Sequence, residues 1–104
     1  GLISREMLGR MKPTGLLVNT ARGPIVDNAA LAEALEARRI AGAGIDVFEM
    51  EPPVPASHPL LHAPNTLLTP HVAFATQEAL ERRAGIVFDN MKAWLGGTVK
   101  NQVC

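Results

Sequence analysis

The sequence has a single cysteine, Cys104 at its very end. That excludes an internal disulfide and any multi-cysteine metal site, and it points to a reducing compartment. No charge of one sign dominates, because ten Lys and Arg balance ten Asp and Glu and the two signs are scattered along the chain. This argues against a basic face for nucleic acid or a membrane surface. No apolar run approaches the roughly 20 residues that span a bilayer. The start, Gly1-Leu2-Ile3-Ser4-Arg5-Glu6, lacks the basic and then apolar order of a secretion signal. A soluble, cytoplasmic protein without nucleic-acid or membrane partners is expected. At 104 residues the chain suits one small domain or a piece of a larger one. Its start on Gly is read as a hint of an excerpt.

What is present reads as α/β. Hydrophobic residues make up 47% and charged residues 19%, a globular balance. Ser4 can cap a short helix through Met7, Leu8 and Met11, stopped by Lys12-Pro13. Leu16-Leu17-Val18-Asn19 suits a strand buried on both faces. Asp27 is a plausible cap for a second helix with Leu31, Ala34 and Leu35 on one face and Arg38-Arg39 near its end. Residues 41–48 form a second strand, parallel to the first if strand, helix and strand make a βαβ unit. Residues 49–65 carry five prolines and no period, so they read as a long functional or mobile connection. Asn65-Thr66-Leu67-Leu68-Thr69 is a third strand stopped by Pro70. Thr76 or a neighbour opens the longest helix, whose stripe runs through Leu80, Ala84, Val87, Met91 and Leu95 to Gly96-Gly97.

Ligands of parallel α/β sheets bind beyond the carboxyl ends of the strands. Just past those ends stand Arg22, then Asp46 with Glu49 and Glu51, then His71. Each alone has a plain reading as a solvated charge, a turn cap or a satisfied histidine. Together they form a chemical set. Arginine grips a carboxylate with two parallel bonds. Histidine exchanges protons near neutrality, and a carboxylate beside it favours its charged form. An anchored carboxylate with proton transfer at an adjacent oxygen describes a 2-hydroxy or 2-oxo acid. No side chain here can move a hydride, so a redox reading needs a nicotinamide.

Other groupings are weaker. His58-Pro59-Leu60-Leu61-His62 has zinc-like spacing, but its prolines oppose a helix and no Glu follows the first His, so no metal is expected. Gly42-Ala43-Gly44 lies within a strand instead of a strand-to-helix turn, and suits close packing of a helix on the sheet. Ser57 beside His58 lacks a nucleophile elbow. Trp94 and Phe88 read as core or interface.

Three consecutive stretches resemble the D-isomer-specific 2-hydroxyacid dehydrogenases. They are residues 16–23 with Val26-Asp27 and Ala30-Leu31, residues 42–48 with Glu51-Pro52, and residues 65–73 with Thr76. Their order and the 29-residue step from Arg22 to Glu51 agree with that family as well. The resemblance implies the C-terminal part of a Rossmann-like doubly wound parallel sheet: a βαβ unit, a third strand and a long C-terminal helix. It implies that residues 1–97 are the C-terminal half of a nucleotide-binding domain. The helix near 76–95 would lead out of it, and the tail 98–104 would belong to a substrate domain.

By the same resemblance Arg22 binds substrate carboxylate and carbonyl, His71 is the acid/base, and Glu51 pairs with His71. Asp46 would hold the nicotinamide carboxamide, with Thr20, Ala21, Arg22, His71 and Ala73 also at the cofactor. NAD is the default cofactor, with NADP left open. A small 2-hydroxy or 2-oxo acid is the implied substrate and a homodimer the implied full-length assembly. The family's G-x-G-x-x-G turn is not in these residues, so the isolated chain is expected to be marginally stable and inactive. Asn28 stands where many relatives carry Glu. An alternative is a non-metabolic NAD(H)-sensing or corepressor-like binding protein on the same fold.

Overall fold

The computed structural model describes residues 1–103. In chain order the elements are α1 (Arg5–Gly9), β1 (Leu16–Asn19), a 3-10 turn (Gly23–Ile25), α2 (Asn28–Glu36), β2 (Gly42–Ile45), a second 3-10 turn (Pro59–Leu61), β3 (Thr66–Leu68) and α3 (Gln77–Leu95). They fall into two compact units, one of residues Gly1–Ala73 and one from Phe74 onward. No described helix is long and apolar enough to cross a membrane.

Local chemistry sets the helix starts. Ser4 Oγ accepts from the Met7 N–H at 3.4 Å, Asp27 Oδ1 from Ala30 at 3.0 Å and Thr76 Oγ1 from Ala79 at 3.2 Å. Each satisfies a donor that the first helical turn leaves open. The ends are less local. α1 stops at Gly9 instead of reaching Met11, and the Arg10 and Met11 N–H groups close three-residue steps onto Met7 and Leu8. Arg38 and Arg39 lie past the end of α2, Arg38 with φ of +52°, so they do not sit in its last turn as expected. α3 ends as expected, with Gly97 left-handed at φ +77° and the Thr98 N–H bonded to Ala93 O at 2.8 Å.

The first unit holds a parallel sheet in the order β1-β2-β3. Leu16 pairs with Gly42 and Asn19 with Ile45, and Ala43 pairs with Thr66 and Ile45 with Leu68. One face of the sheet carries the core, built from Leu8, Leu31, Leu35, Ile45 and Leu60, with Leu17 and Leu68 packed against it. Within this unit the other face is bare. Leu16 and Val18 are each 70% exposed, so β1 is buried on one face of this chain and not on two. Alternate residues point to opposite sides of a strand, and only one side has a helix against it. A Cβ on Gly42 would meet Asn65 O at 2.9 Å and Leu16 Cδ2 at 3.3 Å, so its close neighbours are in the sheet and no helix covers it. In the second unit no α3 residue is buried. Phe88 and Trp94 are exposed and are not core within this chain.

The proline-rich segment is pinned, not structureless. Leu60 is fully buried, and His58 beside it is nearly so. His58 Nδ1 accepts from the Leu60 N–H at 3.3 Å, which leaves Nε2–H to donate to Glu49 Oε2 at 2.8 Å. The ring also meets Phe48 edge-on at 5.1 Å. His62 instead donates from Nε2 to Ala56 O at 2.8 Å. The two histidines do not converge, and no group of three metal-ligating side chains exists among the described residues. Burial pulls the Glu49 carboxyl upward, but His58 and the nearby Asn28 amide outweigh it and hold its pKa below the ordinary value. Asn28 is itself buried, and neither of its amide atoms completes a well-shaped hydrogen bond. Asn28, the departure from the family pattern, is therefore part of the interior beside this segment.

Candidate active site

β1 ends on Asn19, which is 5% exposed and spent on the turn that follows. Its Oδ1 accepts from the Ala21 N–H at 3.1 Å and its Nδ2 donates to Arg22 O at 3.0 Å. The turn leaves Thr20, Ala21 and Arg22 exposed on the carboxyl rim of the sheet. Arg22 donates from Nη1 to Ala21 O at 2.7 Å, folded back on its own turn. Gly23 then presses onto the chain leaving β2, where a Cβ would stand 2.0 Å from the Phe48 carbonyl carbon. This contact brings the Arg22 turn to the segment that carries Glu51.

Past β2, Glu51 is held at both oxygens. Oε2 accepts from the Phe48 N–H at 3.1 Å, and Oε1 lies 2.5 Å from His71 Nδ1. The carboxylate so placed favours the tautomer with its proton on Nδ1 and the lone pair on Nε2. The pair is half-buried. Phe48, Pro52, Val54 and Pro70 join it around a largely apolar cavity of about 580 Å³. His71 itself has φ of +56°, an uncommon backbone for a side-chain-bearing residue.

Asp46, one residue past β2, is 3% exposed. Oδ1 accepts from Thr69 Oγ1 at 2.5 Å and from the Val72 N–H at 2.9 Å, and Oδ2 accepts from the Ala73 N–H at 2.9 Å. The Thr69 hydroxyl above all, opposed by burial and then helped by the Ala73 and Val72 amides and by His71, holds this carboxyl below the usual aspartate range. A depressed folded value means a stabilising contribution that is complete above about pH 4, the ordinary aspartate pKa, and is lost as pH falls through the folded value. The melting temperature should therefore drop on acidification below about pH 4, with a shallower drop in Asp46→Asn; equal slopes in the two proteins would contradict it.

Asp46, Thr20 and Ala73 line one cavity of about 160 Å³ with Val18, Ile45, Leu67 and Thr69. Ala21, Arg22 and His71 are not among its walls. Apolar sides with hydroxyls and one carboxylate at the rim fit a flat ring bearing a carboxamide, and Oδ2 retains acceptor capacity beyond Ala73. The residues present thus fit a nicotinamide ring. Sequence reasoning missed Asn19, which fastens its own turn, and Gly23 and Thr69, whose partners lie on the chain leaving β2. Gly23 had a signal, since a glycine before a proline marks a turn.

The profile of the D-isomer specific 2-hydroxyacid dehydrogenase NAD binding domain matches residues 1–73. The chain belongs to this family. The 2-hydroxyacid dehydrogenase match ends where the first compact unit ends. Over 99 residues the chain is 50% identical to glyoxylate/hydroxypyruvate reductase B of Serratia proteamaculans, covering 95% of this chain and 30% of that protein. It is 51% identical over 96 residues to glyoxylate reductase of Thermofilum pendens, covering 92% and 28%. Among solved structures, the NADPH-dependent glyoxylate/hydroxypyruvate reductase of Sinorhizobium meliloti superposes with a TM-score of 0.84 at 44% identity, covering 98% of this chain and 32% of that one. D-lactate dehydrogenase with NAD+ from Lactobacillus jensenii superposes at 0.79 with 32% identity, covering 99% and 34%. The chain spans about a third of the length of these 2-hydroxyacid dehydrogenase relatives.

Proposed function

We propose that this chain supplies the acid/base and substrate-anchoring rim of an NAD(P)-dependent enzyme that interconverts 2-oxo acids and D-2-hydroxy acids. The observation that carries the reading is the Glu51–His71 pair beyond the ends of adjacent parallel strands. Arg22 would hold the substrate carboxylate in a two-pronged grip, released from its own turn. The carbonyl carbon would take its hydride from a nicotinamide held at this rim, or return it there in the reverse direction. His71 gives a proton from Nε2 to the carbonyl oxygen as that carbon is reduced, and recovers it in the reverse direction. Glu51 offsets the charge of the imidazolium and holds the ring to one orientation. Thr20 and Ala73 would line the cofactor ring, with Ala21 on the adjoining turn and Asp46 accepting from the carboxamide.

Glyoxylate and hydroxypyruvate are the substrates favoured by the relatives' names. Those relatives are NADPH-dependent in one case and hold NAD+ in another, which supports NAD(P) as the cofactor class. In this reading residues 1–97 are the C-terminal half of the nucleotide-binding domain and 98–104 enter the substrate domain. The enzyme is a cytoplasmic homodimer without nucleic-acid partners.

The test replaces the matching 99 residues of the Serratia proteamaculans reductase with this chain. The folded chimera should oxidise NADH or NADPH with glyoxylate or hydroxypyruvate. A folded chimera that binds the dinucleotide yet turns over neither acid would favour the sensor reading and reject this one.

A further inference from the structure

Asp46 is buried, and all three of its protein donors come from the one turn that carries His71. The Thr69 hydroxyl lies on one side of His71, and the Val72 and Ala73 amides lie on the other. Pro70 between them offers no N–H. At φ +56° His71 reverses the chain, so that the two following amides turn inward together onto the carboxylate. The same turn is already fastened to β2 by the Thr69 N–H on Ile45 O at 3.0 Å. Asp46 is fastened to β1 by its own N–H on Asn19 O at 3.0 Å. The ring is then met from outside by Glu51. Backbone orientation and ring orientation are therefore set by two different carboxylates on two different segments.

We infer that Asp46 is the positioning residue of His71, its buried carboxylate holding residues 69–73 in the left-handed turn that delivers the imidazole to Glu51. This goes beyond a cofactor contact and rests on the proposed function only for its catalytic consequence. Three donors converging on one carboxylate outweigh the unfavourable backbone that a side-chain-bearing residue has in this region. An amide in place of the carboxylate keeps the shape but turns an N–H₂ toward donors, and this is the lesion the test uses.

Amide hydrogen exchange and the imidazole nitrogen shifts of His71 are measured in the 104-residue chain. In Asp46→Asn the Val72 and Ala73 amides should lose protection by about 10-fold or more, and the ring should leave its single tautomer. Leu31 and Ala43, bonded elsewhere, should keep their protection. Thr69→Val removes one donor only and should give the same pattern at smaller size; it carries the test if the asparagine variant does not fold. In the chimera kcat should fall about 10-fold at saturating NAD(P)H, a loss that a weakened carboxamide contact, which raises KM, does not produce. Uniform loss of protection across the chain would overturn the proposal, since it would mean general stabilisation. So would an unchanged turn with a raised KM for NAD(P)H, the mark of a cofactor contact alone. An inactive unmutated chimera would remove the proposed function while leaving the exchange result to decide the role of Asp46.

Discussion

His71→Ala in the chimera is expected to lower kcat by about 100-fold or more, with a much smaller change in the KM of the 2-oxo acid. The imidazole is assigned a proton-transfer role that matters as the carbonyl oxygen gains charge, so its loss should affect the reacting state more than the bound one. Glu51→Gln should cost about 10-fold. Glu51 accepts at both oxygens, from Phe48 and His71, and an amide can accept at only one. Its other end would place N–H₂ against an existing donor. Steady-state kinetics in both directions measure both variants. Equal turnover in His71→Ala and the parent chimera would reject the acid/base assignment.

Gly23→Ala should be the most damaging single methyl in the first unit. The added carbon would stand 2.0 Å from the Phe48 carbonyl carbon, 2.2 Å from its oxygen and 2.3 Å from the Glu49 nitrogen. All three are backbone atoms, so no rotamer change relieves them, and two loops must separate. Overpacking costs typically about 1–3 kcal/mol, and backbone neighbours place this site at the upper end. A small domain has only about 5–15 kcal/mol in total. A loss of about 3 kcal/mol corresponds to a melting temperature lower by roughly 12–24 °C. Gly85→Ala is the control, because nothing lies within 4 Å of its added carbon in the middle of α3. There the better helix former should be neutral or gain up to about 1 kcal/mol. Thermal unfolding of both variants decides the matter, and a Gly23→Ala protein melting with the parent would refute the close approach.

Legibility in the sequence followed the distance between interacting residues. The caps Ser4, Asp27 and Thr76 could be read because each meets a donor three residues ahead. β1 was located to the residue because three apolar residues and Asn19 stand between Gly15 and Thr20. β2 was placed but read too long: the sequence suggests residues 41–48, whereas pairing covers Gly42–Ile45. The side chains of Val47 and Phe48 belong to the core beyond the ladder. Arg22, Glu51 and His71 were legible as candidates because each follows a strand end. The other halves of the contacts were not. Asp46 meets donors 23 to 27 positions away, and Glu49 meets a histidine nine positions away for which the sequence offers no such partner.

The sequence by itself determined the α/β order, the helix starts, the rim on which chemistry could sit and the family to which the chain belongs. Those follow from short-range rules and from motifs that survive without coordinates. Only the tertiary structure decided how Glu51 meets His71, which carboxylate anchors the turn of that histidine, and which face of the first unit's sheet stays bare. Each of those depends on where separate strand ends come to rest beside one another, and packing settles that because backbone and buried polar groups must find partners across the fold.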